Sequence, residues 1–147
     1  MGLVFLGDTH GNNKLVQDEI DRHKIRNTTI FHVGDFCAGF TTLDNDDNIL
    51  RGWDDFLRKR NLTMIVVRGN HDNPSYFEGY HMMDNLKLVK DYSVIEVDNK
   101  KVLCVGGAIS IDRILSITIN QSNIKYGNSN RVWWKDEIFV YKEDIIK

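Results

Sequence analysis

The chain has 147 residues, 41% hydrophobic and 27% charged, which is enough for one domain with a real core and excludes an intrinsically disordered chain. Its 19 basic and 21 acidic residues give a formal net charge of -2, which argues against wholesale nucleic-acid binding driven by charge. Cys37 and Cys104 lack zinc-like spacing and read as free thiols of a reducing compartment; with no basic segment before Asp8 and no run of transmembrane length, a cytoplasmic location is expected.

Leu3 to Leu6 reads as a buried strand that ends at Gly7, with Asp8 and His10 following at i and i+2. Asn12 or Asn13 can cap a helix in which Leu15, Val16, Glu19, Ile20 and His23 recur at helical spacing to about Arg26. Thr29 to Val33 is the second strand, and Gly34-Asp35 repeats the glycine-then-carboxylate exit. His32 lies on the opposite side of that strand from Val33 and reads as a packed core histidine. Gly39 to Asn48 reads as a solvated acidic loop. It lacks the central glycine and terminal glutamate of a calcium loop. Ile49, Leu50, Trp53, Phe56 and Leu57 then mark an amphipathic helix, and Arg58, Lys59 and Arg60 suit its C-terminal end.

Leu62 to Val67 is the third strand, and it breaks at Gly69, Asn70, His71 and Asp72. Asn73-Pro74 leads into a short helical turn, and Met82, Met83, Leu86 and Leu88 read as packing residues. Tyr92 to Val97 and Lys101 to Val105 form a hairpin about Asp98-Asn99. Beyond Gly107 the pattern loosens. Ile114 to Ile119 reads as a strand or a buried loop, Trp133-Trp134 as a packing pair, and Tyr141 to Lys147 as a closing helical turn. The order predicts one α/β domain: a mainly parallel sheet with flanking helices, plus a hairpin.

The three strand exits carry the chemistry. Open α/β sheets bind ligands outside the carboxyl ends of their strands. Asp8, His10, Asp35 and Asn70 offer carboxylate, imidazole and amide donors, a mix that suits manganese, iron or zinc better than calcium. Two ions about 3.5 to 4 Å apart would grip a phosphate ester and activate a bridging water. His71 is placed to protonate a leaving oxygen, and Asp72 to hold that imidazole in one tautomer.

Asp8-Thr9-His10, Gly34-Asp35 and Gly69-Asn70-His71-Asp72 resemble the first three signatures of the calcineurin-like metallophosphoesterases. The stretch from Gly106 to Arg113, with Trp133, Trp134 and Glu137, resembles a subgroup of bacterial and phage members. The resemblance implies an αββα sandwich, a two-metal centre and hydrolysis of phosphomonoesters or phosphodiesters. It assigns Asp8, His10 and Asp35 to the first ion, Asp35 and Asn70 to the second, His71 to catalysis and Asp72 to its support. Manganese is the first expectation, with iron, zinc or nickel as others. Arg113 is expected as a substrate contact, the alternative being a salt bridge with Asp112 or Glu137.

The family adds a later histidine and a Gly-His-x-His element, whereas the histidines here are at 10, 23, 32, 71 and 81. The resemblance therefore implies a partial sandwich without its C-terminal portion, with an exposed sheet edge and apolar face. A homo-oligomer or a separately encoded C-terminal half is expected to cover that face. A shortened phosphoesterase and a degenerate, contact-making subunit are the alternatives. A nucleic-acid-binding module, with Arg58, Lys59, Arg60, Arg113, Lys125 and Arg131 beside the tryptophan pair, is the third; nucleic acid is also an admissible substrate.

Overall fold

The computed structural model describes residues 2–79, 81–109, 117–119, 121, 134 and 136–146. The elements run β1 (Leu3–Leu6), α1 (Asn13–Arg22), β2 (Thr28–Val33), α2 (Leu43–Arg58), β3 (Leu62–Val67), a 3-10 turn (Pro74–Phe77), β4 (Leu86–Leu88), β5 (Ser93–Val97), β6 (Lys100–Cys104) and α3 (Glu143–Ile146). Strands β1 to β4 form one parallel sheet in sequence order, and β5 and β6 pair antiparallel as a separate hairpin. In register, Leu6 lies opposite His32 and Val33 opposite Val67, so the first three strands end side by side. This is the mixed α/β architecture that the metallophosphoesterase resemblance implies.

The sheet's two faces follow from the period of two along each strand. Ile30, Met64, Val66, Leu86 and Leu88 point to the helices and pack with Ile20, Leu50, Trp53 and Leu57 in the larger core. Phe31 and Ile65 point the other way, against Val89, Cys104 and the hairpin residues Ile95, Val97 and Val102. The cover on this second face is incomplete: Phe5 and Val33 remain 58% and 56% exposed. The hairpin turn has positive φ at Asp98 (51°) and Asn99 (59°), the pair of left-handed residues that a two-residue turn between twisted strands needs.

Three elements and one packing residue differ from the sequence expectation. Helix α1 stops at Arg22, because the chain turns left-handed at Lys24 (φ 53°) and returns Ile25 toward the core. Helix α2 starts at Leu43, inside the stretch expected as a loop. Thr42 caps it by accepting from the Asn45 amide, and Asp44 and Asp46 suit the positive end of the dipole. Leu86–Leu88 is a strand parallel to β3 rather than loose packing, and Met82 is 54% exposed rather than packed. Trp134 is buried as expected, and α3 is the closing turn. Arg113, Arg131 and Trp133 lie outside the described residues. Among the described residues no helix is long and apolar enough to cross a membrane.

Candidate metal centre

The exits of β1, β2 and β3 are stitched to one another. The Asp8 amide donates to the Gly34 carbonyl (3.1 Å) and the His10 amide to the Asp35 carbonyl (2.9 Å). The His71 amide donates to Asp35 Oδ1 (3.0 Å). Glycine is required at the crossing point. A β-carbon on Gly69 would stand 2.1 Å from Asp35 Oδ1 and 2.3 Å from the Asp35 nitrogen, an overlap no side chain tolerates. Asp8 (φ 58°), His10 (φ 45°) and Asp35 (φ 57°) all hold left-handed backbone, a conformation that costs a non-glycine residue about 1 kcal/mol or more.

This geometry brings ligand atoms of His10, Asp35 and His71 within 4.8 Å of one another. Asp8 stands beside them, its Oδ1 2.7 Å from His10 Nε2, while Asp35 Oδ2 is 3.7 Å from the same nitrogen. The donor set of two imidazoles and two carboxylates fits a borderline divalent ion. His71, expected as a proton donor alone, is thus also within the donor cluster. Asn70 lies on the same rim, lining a cavity of about 360 Å3 with Asp8, Asp35 and Gly69. That cavity opens between the parallel sheet and the hairpin, along Phe5, Val33 and Leu103. A second cavity of about 330 Å3 lies on the helix side. His10 and His71 line it together with Phe36, Cys37, Phe40 and Ile49.

Asp72 takes a different part from the one expected. Its carboxylate is fully buried and accepts from the amides of Gly69 (2.7 Å), Ala38 (3.0 Å) and Phe36 (3.3 Å). Both oxygens accept from backbone N–H groups, so the side chain ties the β2 exit to the β3 exit. Burial pushes its carboxyl above the ordinary value, against the pull of those amides. Burial likewise pushes the Cys37 thiol up to about 12, helped by the charges of Asp72 and Asp35, so that neighbour of the site stays protonated.

Three further contributors were not singled out as site residues by the sequence. Thr9, between Asp8 and His10, bonds through its hydroxyl to His32 Nε2 (2.9 Å) and donates to the Asp35 carbonyl (3.3 Å). Arg68, at the end of β3, is buried and pairs with Asp91 Oδ2 (2.7 Å). It also donates to the carbonyls of Asp136 (3.2 Å) and Glu137 (2.9 Å), fastening the later chain beside the site. Phe40 packs between His71 and Trp134, with ring centroids 6.2 and 5.1 Å away. A hydroxyl flanked by two expected ligands was the one readable signal for Thr9. Arg68 and Phe40 draw their roles from segments far away in sequence.

No curated protein matched the chain. A sequence model of a family described as calcineurin-like phosphoesterase matches residues 1–146. With the parallel sheet, its three stitched exits and the imidazole and carboxylate cluster between them, that match over nearly the whole length means that the chain belongs to the calcineurin-like phosphoesterase family, whose hallmark is metal-dependent phosphoester hydrolysis.

Proposed function

We propose that the chain hydrolyses phosphomonoesters or phosphodiesters at a centre of two divalent ions, manganese first among them. Asp8 and His10 serve the first ion, Asp35 is shared, and Asn70 serves the second. The observation that carries this reading is the convergence of the His10 and Asp35 donors from the exits of two strands, with the His71 imidazole from a third exit within 4.8 Å of both. When bound, such ions supply Lewis acidity and lower the pKa of water. The chain's own groups do the rest. Asp35 has lone pairs to spare on both oxygens after accepting the His71 amide. The same bond fixes where residue 71 stands, and its imidazole holds the proton destined for the leaving oxygen. The cavity of about 330 Å3 receives the leaving group against Phe36, Phe40 and Ile49, and no lysine or arginine lines it among the described residues, which favours an uncharged group there.

The test is manganese titration calorimetry beside hydrolysis of bis(4-nitrophenyl) phosphate, with Asp35→Asn as the variant. Hydrolysis is expected to need the metal and to fall by about 100-fold or more in the variant, since several kcal/mol of charge stabilisation depend on the ligand. Hydrolysis that ignores both chelation and the variant would sink the proposal.

A second reading, a subunit that works through contact, is favoured by the open apolar face at Phe5 and Val33. A second copy or a separately encoded half would cover it, and a chain that binds no ion yet runs as an oligomer would support that reading. Nucleic acid as a partner draws less on the basic triplet, because Arg58 pairs with Asp55 (2.5 Å) and Arg60 with Asp21 (2.6 Å).

A further inference from the structure

His32 lies inside β2, one strand residue and one glycine before Asp35, and is 1% exposed. Its Nε2 is 2.9 Å from Thr9 Oγ1, and that hydroxyl donates its hydrogen to the Asp35 carbonyl (3.3 Å). A hydroxyl has one hydrogen. Having given it to Asp35, Thr9 can only accept from the imidazole. The neutral tautomer protonated at Nε2 satisfies both contacts, whereas a proton on Nδ1 would bury an N–H with no partner among the described residues, so the geometry favours the Nε2–H form. Nδ1, which has no partner among the described residues, then carries a lone pair and not an N–H.

The result is a directed chain, His32 Nε2–H to Thr9 O–H to Asp35 carbonyl. Its middle member sits between Asp8 and His10, and its last member is the residue shared by both ions in the proposed centre. The same Asp35 carbonyl accepts the His10 amide (2.9 Å), so one oxygen ties down both the second and the third residue of Asp8-Thr9-His10. Asp8 and His10 flank Thr9 in left-handed backbone, which does not persist unless something holds it. Phe36 packs edge-on against the His32 ring, with centroids 5.2 Å apart.

We infer that His32 and Thr9 are positioning residues for the metal centre: through the Thr9 hydroxyl, the buried imidazole of β2 sets the approach of the β1 exit ligands, Asp8 and His10, to Asp35. The inference rests on the metal-centre reading above. Groups that orient metal ligands from outside typically change affinity or activity by about 10- to 100-fold when removed.

The experiment is manganese titration calorimetry on the full chain, well below its melting temperature, for wild type, Thr9→Val, Thr9→Ser, His32→Phe and the double variant Thr9→Val/His32→Phe. Thr9→Val keeps the shape and loses the hydroxyl, and it is expected to bind manganese at least about tenfold more weakly. Thr9→Ser restores the hydroxyl and is expected to stay within about threefold of wild type. His32→Phe should weaken binding in the same direction, and the double variant should lose no more than the worse single variant, because both act through one chain of bonds. On the metal-free protein, nitrogen-15 NMR should show His32 protonated at Nε2 alone. A melting temperature that falls in Thr9→Val with manganese affinity unchanged would overturn the inference and leave the metal centre standing, as would a His32 protonated at Nδ1. Failure of the wild-type chain to bind manganese would overturn both.

Discussion

The two faces of the parallel sheet are built from the same kind of residue and end differently. On the helix side, Ile30, Met64 and Val66 are fully buried beneath Leu50, Trp53 and Leu57. On the hairpin side, Phe31 and Ile65 are buried but Phe5 and Val33 are not, although Phe5 stacks on Phe31 at 5.5 Å. Alternation along a strand sets which side chains share a face, but not whether anything covers them. The burial of this chain is thus concentrated on one face, while the other keeps apolar surface exposed beside the rim of the candidate metal centre.

The largest expected effect tests that concentration. Leu50→Ala should cost about 2 to 5 kcal/mol in urea unfolding, the price of a cavity in a closed core. A loss near zero would mean that the helix face is looser than its burial indicates. Next comes His32, which also faces the helices. Burial holds its pKa down to about 4, from the ordinary 6.5. Between those pH values the unfolded chain binds more protons than the native one, so stability falls as pH drops from 6.5 toward 4. The full loss is about 3 kcal/mol for this group. The raised Asp72 carboxyl acts with the opposite sign at the acid end, so the measurement is the difference between wild type and His32→Phe unfolded at pH 7 and pH 4.5. Equal pH dependence in the two would assign the loss to other groups. The smallest effect belongs to the open face. Phe5→Ser should change the unfolding free energy of the monomer by less than about 1 kcal/mol. A larger loss that grows with protein concentration would show that a second copy covers the face.

The sequence made the strands of the site legible because apolar runs that stop at glycine leave few other readings; β1, β2, β3 and the hairpin all lie where the pattern put them. The start of α2 was hidden because Asp44, Asn45, Asp46 and Asp47 have the composition of a loop. What makes them helical is a cap at Thr42 and a tertiary use for Asp46, which is buried and accepts from the Thr41 and Tyr76 hydroxyls. Strand β4 is three residues long, too short for alternation to register. Within the site, the convergence of His10 and Asp35 at neighbouring strand exits was readable, and the side-chain partnerships were not. Asp72 looked like the support of the histidine next to it, yet its carboxylate answers to amides at 36, 38 and 69. Adjacency in sequence fixes neighbours along the chain, whereas a buried carboxylate is claimed by whichever N–H groups the fold leaves without partners.

The left-handed backbone at Asp8, His10, Asp35 and Cys37 has a consequence for how such a chain changes under selection. Glycine would suit each of those conformations better than the residue present. A library sorted for heat resistance alone would therefore tend to empty these positions, gaining ruggedness and discarding the candidate donors Asp8, His10 and Asp35 with it. On the proposed reading, the side chains kept at Asp8, His10 and Asp35 trade resistance to unfolding for the capacity to hold a ligand.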